Sequence, residues 1–137
     1  ATTAVVIRRL RILLVEDNAM TSLLLRRMLE QRFGHAVTVA QNNAQALKIS
    51  SHKQFDLLLS DLGLPDGDGR QLPSLIRSNG LMNRTVKAIA ISGYGMKEDI
   101  EASLAAGFAA HLVKPIQSRV LVETIKQVCQ PPQLTAE

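Results

Sequence analysis

Short apolar runs alternate with amphipathic stretches along the chain. Residues 11–16 (RILLVE) form a continuous rather than alternating apolar run, the pattern of a strand buried on both faces. Asp17 and Asn18 then offer helix caps, and Leu24, Leu25, Met28, Leu29 and Phe33 recur at helical spacing until Gly34 stops the pattern. Residues 36–40 (AVTVA) predict a second strand, after which Asn42 and Asn43 open a helix carrying Ala44, Ala46 and Leu47. A third strand is expected over 55–60 (FDLLLS), followed by a loop with Gly63, Gly67 and Gly69 and a weaker helix near 70–79. The fourth strand, 86–92 (VKAIAIS), precedes a helix from Lys97 to Ala106 that Gly107 ends. The fifth, 109–113 (AAHLV), leads to a helix capped by Ser118 with Leu121, Val122, Ile125 and Val128 inward.

Five βα units with buried strands imply an α/β fold, a parallel sheet covered by helices on both faces through right-handed crossovers. The 137 residues make one domain, with no repeat or low-complexity segment left over. Its expected span is 10–129, after a linker over 1–9 and before a frayed tail over 130–137 (QPPQLTAE).

Composition narrows the class. Aromatics make up only 3% and Trp is absent, so the core must be aliphatic. Cys129 is the single cysteine, which excludes an internal disulfide and fits a reducing compartment. No apolar run approaches the ~18 residues of a membrane helix, and the first residues lack the order of a signal peptide. The expectation is a cytoplasmic domain without membrane contact. A net charge of +4, with Arg8, Arg9, Arg11, Arg26, Arg27 and Arg32 early in the chain, raises nucleic acid as a partner. No helix-turn-helix or zinc-finger pattern follows, and one Tyr and three Phe make no stacking platform. The charge is read as a solvated or partner-facing surface, with no nucleic acid expected.

In a parallel sheet of this kind, ligands bind outside the carboxyl ends of the strands. Those ends carry Glu16 and Asp17, then Asp61, then Ser92, then Lys114 followed by Pro115. Each has an ordinary reading by itself: a cap, a turn, a loop hydroxyl, a surface lysine. Together they crowd three carboxylates, which repel one another unless a cation intervenes. Hard oxygen donors without His or Cys favour Mg²⁺. A carboxylate beside Mg²⁺, with a hydroxyl and an ammonium in reach, suits phosphoryl transfer through an aspartyl phosphate.

At these residues the sequence resembles the receiver domain of two-component response regulators. The matching motifs are LLVEDN (Glu16, Asp17), SDLGLPDGDG (Asp61, Pro65, Asp68, Gly69), AISGYG (Ser92) and LVKPI (Lys114, Pro115), in family order over residues 10 to 129. The resemblance implies a flavodoxin-like doubly wound sheet with strand order 2-1-3-4-5. It makes Asp61 the phosphoacceptor, with Glu16 and Asp17 holding Mg²⁺ directly or through water and the Gly63 carbonyl as a further ligand. Ser92 would bond a phosphoryl oxygen and Lys114 would neutralise it. The partner implied is a histidine kinase dimerisation/phosphotransfer domain or a histidine phosphotransfer protein. The motifs look most like receivers attached to hybrid sensor histidine kinases; a stand-alone regulator and a non-phosphorylated docking module are the alternatives.

The sequence departs from the family at His111, three residues before the lysine, where receivers usually carry an aromatic. A partly exposed strand-end histidine and a protonation-sensitive switch are both compatible with it. Gly63 also removes a side chain that could influence attacking water. Among rivals, haloacid-dehalogenase-like phosphatases need a second aspartate where Gly63 stands, and a dinucleotide site needs a glycine fingerprint absent from VEDNAMTS. PDGDGRQ resembles a calcium loop but places Arg70 where an oxygen ligand belongs.

Overall fold

A computed structural model of the chain describes residues 8–93 and 95–129. The expected linker (apart from Arg8 and Arg9), the tail and Tyr94 of the SGYG motif lie outside the described residues. Five strands form one parallel sheet: β1 (Arg11–Val15), β2 (Ala36–Ala40), β3 (Leu57–Asp61), β4 (Lys87–Ser92) and β5 (Ala110–Val113). Their order is β2-β1-β3-β4-β5, the doubly wound arrangement expected from the sequence. The helices between and after them are α1 (Ala19–Arg27), α2 (Asn43–Ser50), α3 (Leu72–Ser78), α4 (Lys97–Ala105) and α5 (Ser118–Cys129).

Alternate side chains of each strand feed opposite core layers. Ile12, Leu14, Leu57, Leu59, Ile89 and Ile91 pack with Leu25 and Leu29 on one side of the chain crossover and with Leu121 and Ile125 of α5. On the other face Leu13, Val15, Leu58, Ala88 and Ala90 meet Ala46 of α2 and Leu72 and Ile76 of α3. Each fully buried Leu or Ile contributes roughly 1.5–3 kcal/mol. The core is aliphatic except for Phe55 and Phe108, which are buried in the second layer and correct the expectation of a wholly aliphatic interior.

Several boundaries and faces differ from the sequence reading. The first helix narrows its α-helical part to Ala19–Arg27 and continues as a π-helical turn over Met28–Arg32 before Gly34, at φ +74°, ends it. Its inward residues are Leu25 and Leu29, one i,i+4 pair, whereas Leu24 is 56% exposed. In α2, Ala46 is buried and Ala44 exposed. β3 begins two residues later than expected and includes Asp61. Ser118 is the first residue of α5 rather than a residue before it, and its hydroxyl accepts a hydrogen bond from Arg32 Nη1 at 3.3 Å.

Candidate functional site

Strand register alone brings the rim residues together. Val15 pairs with Ser60, so Glu16 leaves β1 beside Asp61. Asp61 pairs with Ile91, so Ser92 is one step further along β4. Ser92 in turn pairs with Val113, and Lys114 N donates to the Ser92 carbonyl at 2.8 Å. Residues far apart in sequence thus occupy neighbouring strand ends, as the topology requires.

Glu16 and Asp61 are buried, Asp17 is exposed, and one carboxylate oxygen from each lies within 4.8 Å of the others. Lys114 Nζ sits between two of them, donating to Asp61 Oδ2 at 2.9 Å and forming an ion pair with Glu16 Oε1 at 2.8 Å. Glu16 Oε1 is thus held by the ammonium. The other, Oε2, accepts from Asn18 N at 3.1 Å, and Asp61 Oδ1 accepts from Gly63 N at 3.0 Å. Asp17 does not cap α1: Asn18 does, its Oδ1 accepting from Thr21 N at 2.9 Å. Capping therefore leaves the Asp17 carboxylate available to the cluster.

Electrostatics follow from this crowding. Burial pushes the Glu16 carboxyl above its usual range, and the charge of Asp61 adds to it, against the opposing pull of Lys114 and the Asn18 amide. For Lys114, burial disfavours the ammonium, but its contacts with Glu16 and Asp61 outweigh that and raise its pKa. One ammonium thus serves two carboxylates in a three-carboxylate cluster. A small hard cation fits the remainder: the donors are all carboxylate oxygens within 4.8 Å of one another, and one ammonium does not offset three carboxylates.

The loop after Asp61 is shaped around it. Gly63–Leu64 and Gly67–Asp68 pair as a two-residue antiparallel hairpin, with Gly67 at φ +137°. Asp66, at its tip, accepts from Asn43 N and Ala44 N at 2.9 and 3.0 Å, tying the loop to the start of α2; these bonds hold its carboxyl below the usual range. A β-carbon at Gly69 would lie 2.5 Å from the Asp61 carbonyl oxygen. Any larger residue there would displace the backbone that carries Asp61. Beside the cluster opens a cavity of about 310 Å³ lined by Gly63, Asp68, Arg70, Ser92 and Asp99, among others. Lys114–Pro115 is a cis peptide.

His111 is half-buried, with its Nδ1 2.8 Å from Ser103 Oγ of α4. It is thus tied to α4, an arrangement that neither sequence reading of this histidine contained. Spacing gave no reason to single out Ser103, Asp99 or a cleft-lining role for Arg70. Their neighbourhood depends on how α3 and α4 pack, and only Arg70 stood out, as a charge inside a glycine loop.

A family model for the response regulator receiver domain matches residues 12–126. The chain belongs to this family. It is 38% identical over 118 residues to an uncharacterised 14.6 kDa protein of Leptolyngbya boryana, covering 86% of this chain and 88% of that one. With the sensor histidine kinase GacS of Pseudomonas protegens it shares 31% identity over 84% of this chain, but only 13% of the kinase. The crystal structure of the receiver domain of sensor histidine kinase PA1611 from Pseudomonas aeruginosa superposes with a TM-score of 0.79 at 29% identity, covering 90% of this chain and 99% of that domain. That receiver holds a magnesium ion in its active-site cleft. The present receiver is accordingly a domain of two-component signalling, with a CheY-like flavodoxin fold. Among the described residues, no helix is long and apolar enough to cross a membrane.

Proposed function

We propose that this receiver accepts a phosphoryl group from a phosphohistidine onto Asp61. The observation that carries the reading is the buried Asp61 carboxylate at a strand end, within 4.8 Å of two other carboxylates and bonded to Lys114. An oxygen of Asp61 forms the new P–O bond as the donor's P–N bond breaks, and the imidazole leaves with the electron pair and takes up a proton. Lys114, now bonded to Asp61 Oδ2, is placed to turn its ammonium toward the arriving phosphoryl oxygens. Ser92, buried on the adjacent strand, supplies a hydroxyl whose charge-assisted bond is worth roughly 1.5–3 kcal/mol.

Glu16, Asp17, Asp61 and the Gly63 carbonyl would hold Mg²⁺. When bound, the metal offsets charge on the phosphoryl oxygens. The donor comes from a histidine kinase dimerisation/phosphotransfer domain or a histidine phosphotransfer protein. Next to the cluster, α1 exposes Met20, Leu23 and Leu24, at 64%, 42% and 56%, an apolar stripe that suits a helical partner presenting its histidine. The matches to receivers of GacS and PA1611 support a place, over residues 10–129, in a hybrid sensor kinase on the cytoplasmic side. A stand-alone regulator is the second reading, supported by coverage of 88% of the 14.6 kDa relative.

Incubation with acetyl phosphate and Mg²⁺ tests the assignment by intact mass. The wild type should gain one phosphoryl group and Asp61→Asn none, while chelation of the metal should suppress the gain. Equal labelling of variant and wild type would remove Asp61 from the role.

A further inference from the structure

The cleft leading to Asp61 carries acidic groups beyond those that a bound cation would offset. Glu16, Asp17 and Asp61 crowd the strand ends, and Asp68 and Asp99 line the adjoining cavity of about 310 Å³. The ammonium of Lys114 is already engaged with Glu16 and Asp61. Among the described residues lining that cavity, Arg70 is the one cation. Its backbone N–H donates to Asp68 Oδ1 at 2.9 Å, which fixes the start of the turn at the cavity wall. Its guanidinium is bound more loosely. Nε stands 3.5 Å from the same Asp68 oxygen, is buried, and has no partner in hydrogen-bond geometry. Both side chains of that pair are partly exposed, at 41% and 49%, so the pairing contributes little and leaves donors for an incoming ligand.

We propose that Arg70 is a specificity-determining residue of the cleft, steering doubly charged small phosphodonors of the acyl phosphate class toward Asp61. This rests on Asp61 being the phosphoacceptor. A guanidinium on the wall raises the local concentration of a dianion and offers two parallel N–H groups to its phosphoryl oxygens. With acetyl phosphate, the Asp61 oxygen bonds to phosphorus as the P–O bond to acetate breaks, and acetate leaves with the electron pair. With phosphoramidate, the P–N bond breaks and ammonia leaves, its nitrogen already carrying the proton. Phosphoramidate carries one fewer net negative charge at neutral pH, so the steering should act on it less. Arg70 does its work before chemistry, and its loss should appear in KM rather than kcat.

The test compares Mg²⁺-supported phosphorylation of the whole chain by the two donors in wild type, Arg70→Ala and Arg70→Lys. Arg70→Ala should lose roughly three- to tenfold in kcat/KM with acetyl phosphate, through KM, and less with phosphoramidate. Arg70→Lys should recover most of the loss. The advantage of the wild type should shrink as salt brings the Debye length below about 10 Å, near 0.1 M. Equal rates for Arg70→Ala and wild type with acetyl phosphate would overturn the proposal, as would an equal loss with both donors that Arg70→Lys fails to restore. A wild type inert to both donors would instead remove the phosphoacceptor reading, and this proposal with it.

Discussion

At the carboxyl ends of the strands, three carboxylates cluster and one ammonium pairs with two of them; at the amino ends, buried polar groups meet matched partners. β1 enters the sheet with Leu10 N donating to His35 Nδ1 at 3.0 Å and Arg11 N to Asp56 Oδ2 at 2.8 Å. Phe55, just before β3, donates its N–H to Asn83 Oδ1 at 2.7 Å, and the Asn83 amide donates to the Ser50 and Lys53 carbonyls at 2.8 and 3.0 Å. Arg77 reaches the carbonyls of Val86 and Gly107, before β4 and β5, at 3.0 and 3.2 Å. One end of the sheet is clamped; the other keeps charge in hand for a ligand. The difference teaches that this fold gains stability away from its chemistry, which leaves the rim free to be electrostatically unsatisfied.

Breaking a clamp should therefore cost stability without touching phosphorylation. Asn83→Ala deletes three hydrogen bonds and strands a buried Phe55 N–H and two carbonyls. The expected loss is about 2–4 kcal/mol in urea unfolding, or on the order of 10 °C in Tm. Labelling of the folded variant by acetyl phosphate, measured well below its Tm, should match the wild type. A variant of normal stability, or one folded but unlabelled, would dissolve the distinction between the two ends.

Legibility in the sequence divides along the same line. The rim could be read because β strands end where apolar runs stop, and a parallel sheet puts all those ends on one side; Glu16, Asp61, Ser92 and Lys114 follow from that rule and the register. Asn83 could not. It sits in a loop of mixed residues, GLMNRT, and its partners are backbone groups 28 to 33 positions away. His35 is equally silent, since nothing in the residue after Gly34 shows that Leu10 will donate to it. Capping was ambiguous between Asp17 and Asn18 because both side chains can accept from the first turn; the Glu16 bond to Asn18 N helps fix which one does. The π-turn over Met28–Arg32 shifts the inward face by a fraction of a turn, and a pattern read at constant period misses this.

Acidification should pull the two ends in opposite directions. Burial lowers the pKa of His35, so its contribution is present above the unfolded value near 6.5 and is lost as pH falls through the folded value. Glu16, raised mainly by burial, behaves the other way: its stabilisation is present below the unfolded value near 4.3 and is lost as pH rises through the folded one. At neutral pH and without metal, Glu16 is thus a net cost. Glu16→Gln should raise Tm in chelator at pH 7 and lose the further rise that Mg²⁺ gives the wild type. His35→Gln, which keeps an acceptor for Leu10 N but does not titrate, should flatten the fall in stability below pH 6.5, a slope of at most about 1.4 kcal/mol per pH unit for one proton. Thermal unfolding across pH 5 to 8 reads both effects. A destabilised Glu16→Gln would mean that its ion pair with Lys114 outweighs the crowding.

The subtlest expected effect lies where the two ends communicate. α4 follows the Ser92 loop and buries only Ser103 of its nine residues, so apolar packing holds it weakly. The Ser103 hydroxyl donates to the Ile100 carbonyl at 2.9 Å and lies 2.8 Å from His111 Nδ1 on β5. The Ser103 hydroxyl is thus held between the Ile100 carbonyl and the His111 ring. At His111, where the sequence departs from the family pattern, this receiver has a hydrogen-bonded link from β5 to α4. Drawing Ser92 toward a phosphoryl group should move the loop before α4, and the Ser103–His111 bond should carry that motion into β5. Ser103→Ala removes both bonds and is expected to cost about 1–3 kcal/mol, at roughly 0.5–1.5 kcal/mol net for each. Amide chemical shifts with and without beryllofluoride, an acyl-phosphate mimic, provide the sharper readout. In the variant, the changes at residues 92, 93, 95 and 96 should persist while those over 97–113 shrink. Undiminished changes across α4 and β5 would show that the loop drives both elements without this bond, and the link would then be a fastener rather than a relay.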